Sequence, residues 1–390
     1  MLNFEYQNQT RIVFGKGTYN EIGDRIKKYA DRVLLHYGGG SIKRSGLYDA
    51  VMASLKKSGV EVFELGGAVP NPRLSLVHEG IALCRKNDIG FILGVGGGSA
   101  IDSAKAIAMG VPYDGDVWDF YAAGKLPEKA LPVACILTLP ATGSESSISS
   151  VITHNGRKLG CNNPVIRPVF SIVDPELFYT LPPEQVANGA CDIMSHAMER
   201  YMTNVQRTDL VDGYCEVTMK TVMASALTLH YDPKNYDAWC EFALSGIMAH
   251  NGQMGMGRQD DWASHKMEQE LSAKYDVAHG AGLAVVIPAW MRYVYRENIP
   301  MFTQFAQRVM GVETAPRDPE ALILTGIQRL KAFYREMGLP TTMAELGAKR
   351  EDYEDMAKRA TKILFGDEMP IGGIKKLRWQ DVVEIYKLAE

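Results

Sequence analysis

The segment Leu181-Pro182-Pro183 divides the chain into two textures that call for different kinds of layer. Before it, short apolar runs rich in β-branched residues alternate with amphipathic stretches of helical length. The runs are Arg32-Val-Leu-Leu-His-Tyr37, Val60-Glu-Val-Phe63, Phe91-Ile-Leu-Gly-Val95 and Val133-Ala-Cys-Ile-Leu137, and patterns such as 42–55 and 76–84 lie between them. Such alternation folds as a parallel sheet with helices on both faces, and ligands then gather at the carboxyl ends of the strands. After the double proline, apolar positions recur at helical spacing over 184–202, 210–229, 236–254, 262–271, 282–295, 300–310, 321–337, 353–363 and 379–388, with almost no strand-like run. The double proline and Pro300 suit helix starts, where the missing N–H would be unpaired anyway. A chain of 390 residues also exceeds one ordinary core. We therefore expect an α/β domain over 1–182, with a Rossmann-like parallel sheet, and an all-α domain over 183–390.

Charge and composition narrow the partners. The net charge is −4 and no Lys/Arg block stands out, which argues against nucleic acid or an anionic membrane as the main partner. No run approaches the ~20 apolar residues that span a bilayer. The first residues show no basic segment followed by an apolar run, so no signal peptide is expected. Six cysteines are scattered without a C-x-x-C pair, as in a reduced, cytoplasmic protein.

Two of the strand-like runs end on glycines. Phe91–Val95 leads into Gly96-Gly-Gly-Ser-Ala-Ile-Asp102, where a helix is expected to open at Ser99. Glycines let backbone approach a pyrophosphate, a helix N-terminus offers free N–H groups, and Ser99 can cap the helix or bind a phosphate oxygen. The spacing is neither that of a P-loop nor G-x-G-x-x-G. Arg32–Tyr37 ends in Gly38-Gly-Gly-Ser-Ile-Lys-Arg44, which carries two cations and no carboxylate. An NAD site places an acid near such a strand end, so this turn favours the 2′-phosphate of NADP(H). A third polar turn, Thr138-Leu-Pro-Ala-Thr-Gly-Ser-Glu145, follows the fourth run. Asp192 and His196, four residues apart in a helical pattern, share one face and form either a hydrogen-bonded pair or half of a metal site.

These segments carry a family resemblance. Phe14-Gly-Lys-Gly17, Tyr37-Gly-Gly-Gly-Ser-Ile-Lys43, Pro70-Asn-Pro72, Gly96-Gly-Gly-Ser-Ala-Ile-Asp102, Leu137-Thr-Leu-Pro-Ala-Thr-Gly-Ser-Glu145, Val186-Ala-Asn-Gly-Ala-Cys-Asp-Ile-Met-Ser-His196, Asp261-Trp-Ala-Ser-His265 and Tyr275-Asp-Val-Ala-His-Gly280 occur in this order. Together they resemble the iron-dependent (group III) alcohol dehydrogenases over essentially the whole chain, and within them the NADPH-dependent butanol dehydrogenases and broad-range aldehyde reductases.

The resemblance implies an N-terminal dinucleotide-binding domain, a helical C-terminal domain, an active site in the cleft between them, a dimer, and the architecture shared with dehydroquinate synthase. It makes Asp192, His196, His265 and His279 the ligands of one divalent metal, Fe2+ expected and Zn2+ possible. It places NADP(H) against Gly38, Gly39, Ser41, Asn71, Gly97, Gly98, Ser99, Asp102, Thr138, Thr142 and Ser144, with Ser147 and Lys158 as further contacts. The implied activity is reduction of aldehydes and oxidation of alcohols. The alternatives are a metal-dependent lyase or cyclase of the dehydroquinate synthase kind and a non-catalytic nucleotide-binding protein. For His265 and His279 to share an ion, the chain must reverse between them, because fourteen residues of straight helix span about 21 Å. Residues 272–276 are the expected loop. Many members of the family carry another histidine one turn after the third ligand. Here Gln269 occupies that position and cannot titrate, which leaves bound water, a ribose hydroxyl or His250 to carry a proton.

Overall fold

The computed structural model describes residues 1–313, 318–361 and 366–390. Eight strands occur in chain order: β1 (Arg11–Phe14), β2 (Arg32–Tyr37), β3 (Glu61–Leu65), β4 (Phe91–Gly96), β5 (Val133–Leu137), β6 (Ser149–His154), β7 (Arg157–Asn162) and β8 (Phe170–Val173). Six of them form a sheet in the order β1-β8-β5-β4-β2-β3, with every pairing parallel. β6 and β7 make a separate antiparallel hairpin. β4 and β5 are buried along their whole length and β2 along all but its first residue, which is why they read as unbroken apolar runs. His36 in β2 is a core residue: Nδ1 lies 2.8 Å from Leu65 O, and burial pushes its pKa down to about 4.

β1 and β8 escaped the sequence reading because each is four residues long, too short for a period to declare itself. The 42–55 pattern resolves into two helices, Ser41–Arg44 and Leu47–Lys57. Gly46, at φ 79°, breaks them.

These strands belong to a compact unit of Asn8–Thr180. The other unit comprises Leu181–Glu390 together with Met1–Gln7, so the first seven residues pack with the helices, and Leu2 N donates to Gly257 O at 2.8 Å. Pro183 stands in the first turn of helix Pro183–Tyr201, and Pro300 in that of Ile299–Arg308. Helix Tyr353–Ala360 covers the start of the 353–363 pattern, whose last two residues lie outside the described ones. No helix among the described residues is long and apolar enough to cross a membrane.

The chain reversal expected at 272–276 falls later and is tighter. Helix Ala263–Tyr275 keeps residues 272–275, and the next helix, His279–Val294, starts after three residues. Asp276 makes the stop: it adopts a left-handed conformation (φ 53°) and its N–H reaches Ser272 O.

Gly280 sets how closely two helices meet. A Cβ there would lie 2.2 Å from Asn188 O, so Pro183–Tyr201 and His279–Val294 touch backbone to backbone. Gly280→Ala is expected to force these helices apart and to cost about 1–3 kcal/mol in urea unfolding, as overpacking of a tight interior does. An unchanged midpoint would refute the close contact.

Candidate active site

Helix Pro183–Tyr201 presents Asp192, His196 and Glu199 along one face, and all three are buried. Helix Ala263–Tyr275 supplies His265 and Glu268, and His279 opens the helix after the reversal. Of the four residues implied as ligands, Asp192, His265 and His279 come together as a donor group, and His196 lies beside Asp192 and His265. The Nε2 atoms of His196 and His279 each lie 3.7 Å from Asp192 Oδ1. The His265 ring stacks on His196 with centroids 4.9 Å apart and stands 5.3 Å from His279. One ligand atom from each of Asp192, His265 and His279 lies within 4.8 Å of the others. Donors about 2.1 Å from a tetrahedral ion sit about 3.4 Å apart, so small side-chain adjustments suffice.

The outer ring nitrogens of His265 and His279 are already held. His265 Nδ1 lies 3.0 Å from Glu199 Oε1, and the same oxygen accepts the His265 backbone N–H at 3.0 Å. His279 Nδ1 pairs with Glu268 Oε2, and Glu268 Oε1 accepts from Ser272 Oγ. A carboxyl oxygen accepting at Nδ1 keeps the proton there and turns the Nε2 lone pair inward. His265 Nε2 is buried without a hydrogen-bond partner among the described residues. Burial, reinforced by His279, pushes the His265 pKa down to about 3, and burial likewise drives His196 well below its usual value. Burial pushes the Glu199 carboxyl up to about 8, against the pull of the His265 and Trp262 N–H groups. A buried lone pair facing a carboxylate and other imidazoles is costly unless a cation or water fills the space, so the donor set fits a divalent ion.

The site has an open side. The His279 side chain keeps 26% exposure, against 4–8% for Asp192, His196 and His265. His250 packs edge-on against His196, with centroids 4.2 Å apart. Trp262, left-handed at φ 60°, places its ring 4.9 Å from His265. Gln269 sits half-buried on the helix of His265. Sequence reasoning missed Glu199 and Glu268. Each stands three residues after a ligand histidine, on the same helix, and that spacing was the available signal.

In the sheet unit, the three polar turns leave adjacent strands at one edge, since Tyr37 pairs with Val95 and Gly96 with Leu137. Gly38 and Gly39 follow β2, and Gly40, at φ 97°, admits the exposed Ser41. Asn71 holds a left-handed turn (φ 54°) between two prolines. Helix Gly98–Gly110 starts at Gly98, one residue before the expected position, and no side chain caps it. Ser99 therefore lies inside the first turn and does not serve as the cap. A Cβ on Gly98 would lie 2.5 Å from Thr142 Cγ2, and one on Gly97 3.0 Å from Leu139 Cβ. At Gly98 a side chain would have to displace Thr142, and the uncapped N-terminus there suits a phosphate. Thr138 N donates to Gly96 O at 3.0 Å, and Thr142 Oγ1 accepts from Ser144 N at 3.2 Å. Lys158 lies opposite Thr153 in the hairpin.

Asp102, Ser144 and Ser147 surround a buried cation that the sequence reading passed over. Lys105 donates to Ser144 O (2.6 Å), Ser144 Oγ (2.9 Å), Ser147 O (3.0 Å) and Ser149 O (2.9 Å). Ser144 Oγ donates to Asp102 Oδ1 at 2.5 Å, and Asp102 Oδ2 accepts from Val151 N at 2.9 Å. These bonds shape the hydroxyl-rich turn against the helix that follows β4.

Glu145 is buried beside them, and neither carboxylate oxygen has a hydrogen-bond partner among the described residues. Burial pushes its pKa up to about 7 from an ordinary 4.5. The folded state therefore binds the proton more tightly, and stability present below pH 4.5 is lost as the pH rises through about 7. Glu145→Gln is expected to flatten the fall in the urea midpoint between pH 4.5 and 7. Parallel pH curves for the two proteins would overturn this.

Residues 9–175 match the family model described as iron-containing alcohol dehydrogenase, and 186–389 match the C-terminal model of the same family. The chain is 42% identical over 389 residues to a probable NADH-dependent butanol dehydrogenase of Bacillus subtilis, covering 99% of each. It is 36% identical over 352 residues to the NADPH-dependent aldehyde reductase YqhD of Escherichia coli, covering 89% of this chain and 90% of that one. The crystal structure of an NADH-dependent butanol dehydrogenase from Thermotoga maritima superposes with a TM-score of 0.95 at 42% identity, covering 100% of this chain and 99% of that one. With its parallel sheet unit, its helical unit and matches spanning both, the chain belongs to the iron-containing alcohol dehydrogenase family.

Proposed function

We propose that this oxidoreductase is a metal-dependent, NADP(H)-linked alcohol dehydrogenase and aldehyde reductase, with Asp192, His196, His265 and His279 holding one divalent ion, Fe2+ by family and Zn2+ as the alternative. The observation that carries the reading is the buried His265 Nε2, turned toward the other donors while Glu199 holds Nδ1. Held by these four residues, the ion would supply Lewis acidity for the substrate oxygen, and a bound nicotinamide would supply or take up hydride.

The chain's own residues do the rest. Glu199 and Glu268 fix the rings of His265 and His279. Three neutral imidazoles and one carboxylate leave a divalent site with net positive charge, which suits an oxyanion. The lower burial of His279 marks the side from which a small aldehyde or alcohol enters. Gly38, Gly39, Ser41, Asn71, Gly97, Gly98, Ser99, Asp102, Thr138, Thr142, Ser144, Ser147 and Lys158 form the cofactor surface, some directly and some by shaping the turns. Lys43 and Arg44 support NADP(H), and the relatives include both an NADH-dependent and an NADPH-dependent enzyme.

A screen of aldehydes and ketones with Fe2+, Zn2+ or chelator should show oxidation of NADPH that chelator abolishes. The absence of turnover with either nicotinamide across the screen would sink the reading. The ratio of kcat/KM values should favour NADPH, and a preference for NADH defeats that part alone. His265→Ala should lose both bound metal and turnover. Glu268→Gln should weaken metal retention about 10–100-fold in chelator competition. Full metal content in both variants would contradict the assigned donor set.

A further inference from the structure

The turn after β2 contains no carboxylate, yet the fold brings one to it. Glu64, near the end of β3, pairs in register with Leu35 of β2, and Tyr37 lies two residues further along the same face. The segment leaving β3 is tied to the turn through Gly67 N to Gly38 O and Ala68 N to Tyr37 O, both 3.1 Å. Tyr37 OH donates to Glu64 Oε2 at 3.1 Å, and Tyr48 OH donates to Glu64 Oε1 at 2.7 Å. Lys43 closes the group. Its ammonium lies 3.9 Å from Glu64 Oε2 and sits over the rings of Tyr37 and Tyr48, at 5.2 and 4.6 Å from their centroids.

The cation that a 2′-phosphate would meet therefore faces a competing carboxylate and two aromatic faces. We propose that Glu64 is a specificity-determining residue for the nicotinamide cofactor, restraining and partly neutralising Lys43 so that the turn discriminates less in favour of a 2′-phosphate. The inference rests on the assignment of the cofactor to the turn 38–41. It makes the NADPH/NADH ratio a property of two strands, with the cation in the turn after β2 and its counter-charge on β3. Both side chains are half-exposed, so the effect belongs to the modest range of surface ion pairs and is strongest at low salt.

The test is calorimetric titration of the full chain with NADPH and with NADH at low ionic strength, which reads affinity without turnover. Glu64→Gln can keep its contacts with the two tyrosines, one of them with its hydrogen bond reversed, and removes the charge. It should tighten NADPH relative to NADH by about three- to fivefold. Lys43→Met should shift the ratio the other way, and adding Glu64→Gln to it should leave the ratio nearly unmoved. An unchanged ratio in Glu64→Gln overturns the proposal, as does an undiminished effect in the double variant. Failure of wild type to bind either nucleotide would instead remove the cofactor reading on which the proposal stands.

Discussion

Burying imidazoles and carboxylates together is the constraint around which the helical unit is arranged. Taken singly, each such group resists removal from water, and only mutual hydrogen bonds or a bound cation offset that cost. Glu199 shows how the packing answers it. One oxygen takes both the backbone N–H and the ring Nδ1 of His265, so the start of helix Ala263–Tyr275 and the orientation of its histidine are fixed by a single acceptor. Asp261 adds a second anchor there, accepting from Ala263 N and from Gly373 N and Ile374 N of the distant C-terminal segment. Glu268 repeats the device for His279 across the tight reversal. The rings of His265 and His279 are each aimed by a carboxylate on a neighbouring helix, and they converge with His196 because the helices do.

The sheet unit meets a similar constraint with the opposite charge. Lys105 is fully buried on the helix after β4, and its ammonium bonds to the turn at 144–149. Burial lowers its pKa to about 8, with Asp102 and Glu145 opposing the shift. A cation so enclosed dictates the shape of the backbone that wraps it. This explains why hydroxyl-rich sequence that would be a plain surface loop elsewhere is held closely against Gly98.

Much of this was legible in the sequence. The four longer parallel strands, the helical second half, the glycines at the strand ends and the one-face placement of Asp192 with His196 all follow from periodicity and turn chemistry. β1 and β8 were not legible, being too short, and the Asp276 stop was missed because a left-handed aspartate looks like any polar residue. Glu199 and Glu268 carried a spacing signal, but acidic residues at helical spacing are too common on solvent-facing surfaces to single out two. Lys105 looked like an ordinary helix residue, since nothing local tells a buried lysine from an exposed one.

The sequence by itself determined the two textures, the strand-end glycines and the one-face placement of Asp192 with His196, because these depend on residue type and on spacing along one element. Tertiary structure alone decided that His265 and His279 join Asp192 and His196, that Glu199 and Glu268 hold their outer nitrogens, and that Glu64 reaches Lys43 from the next strand. Each of these contacts links segments whose separation in sequence carries no information about distance. Helix packing and strand register bring them together, and register is set by the burial of whole faces rather than by the polar residues that meet as a result.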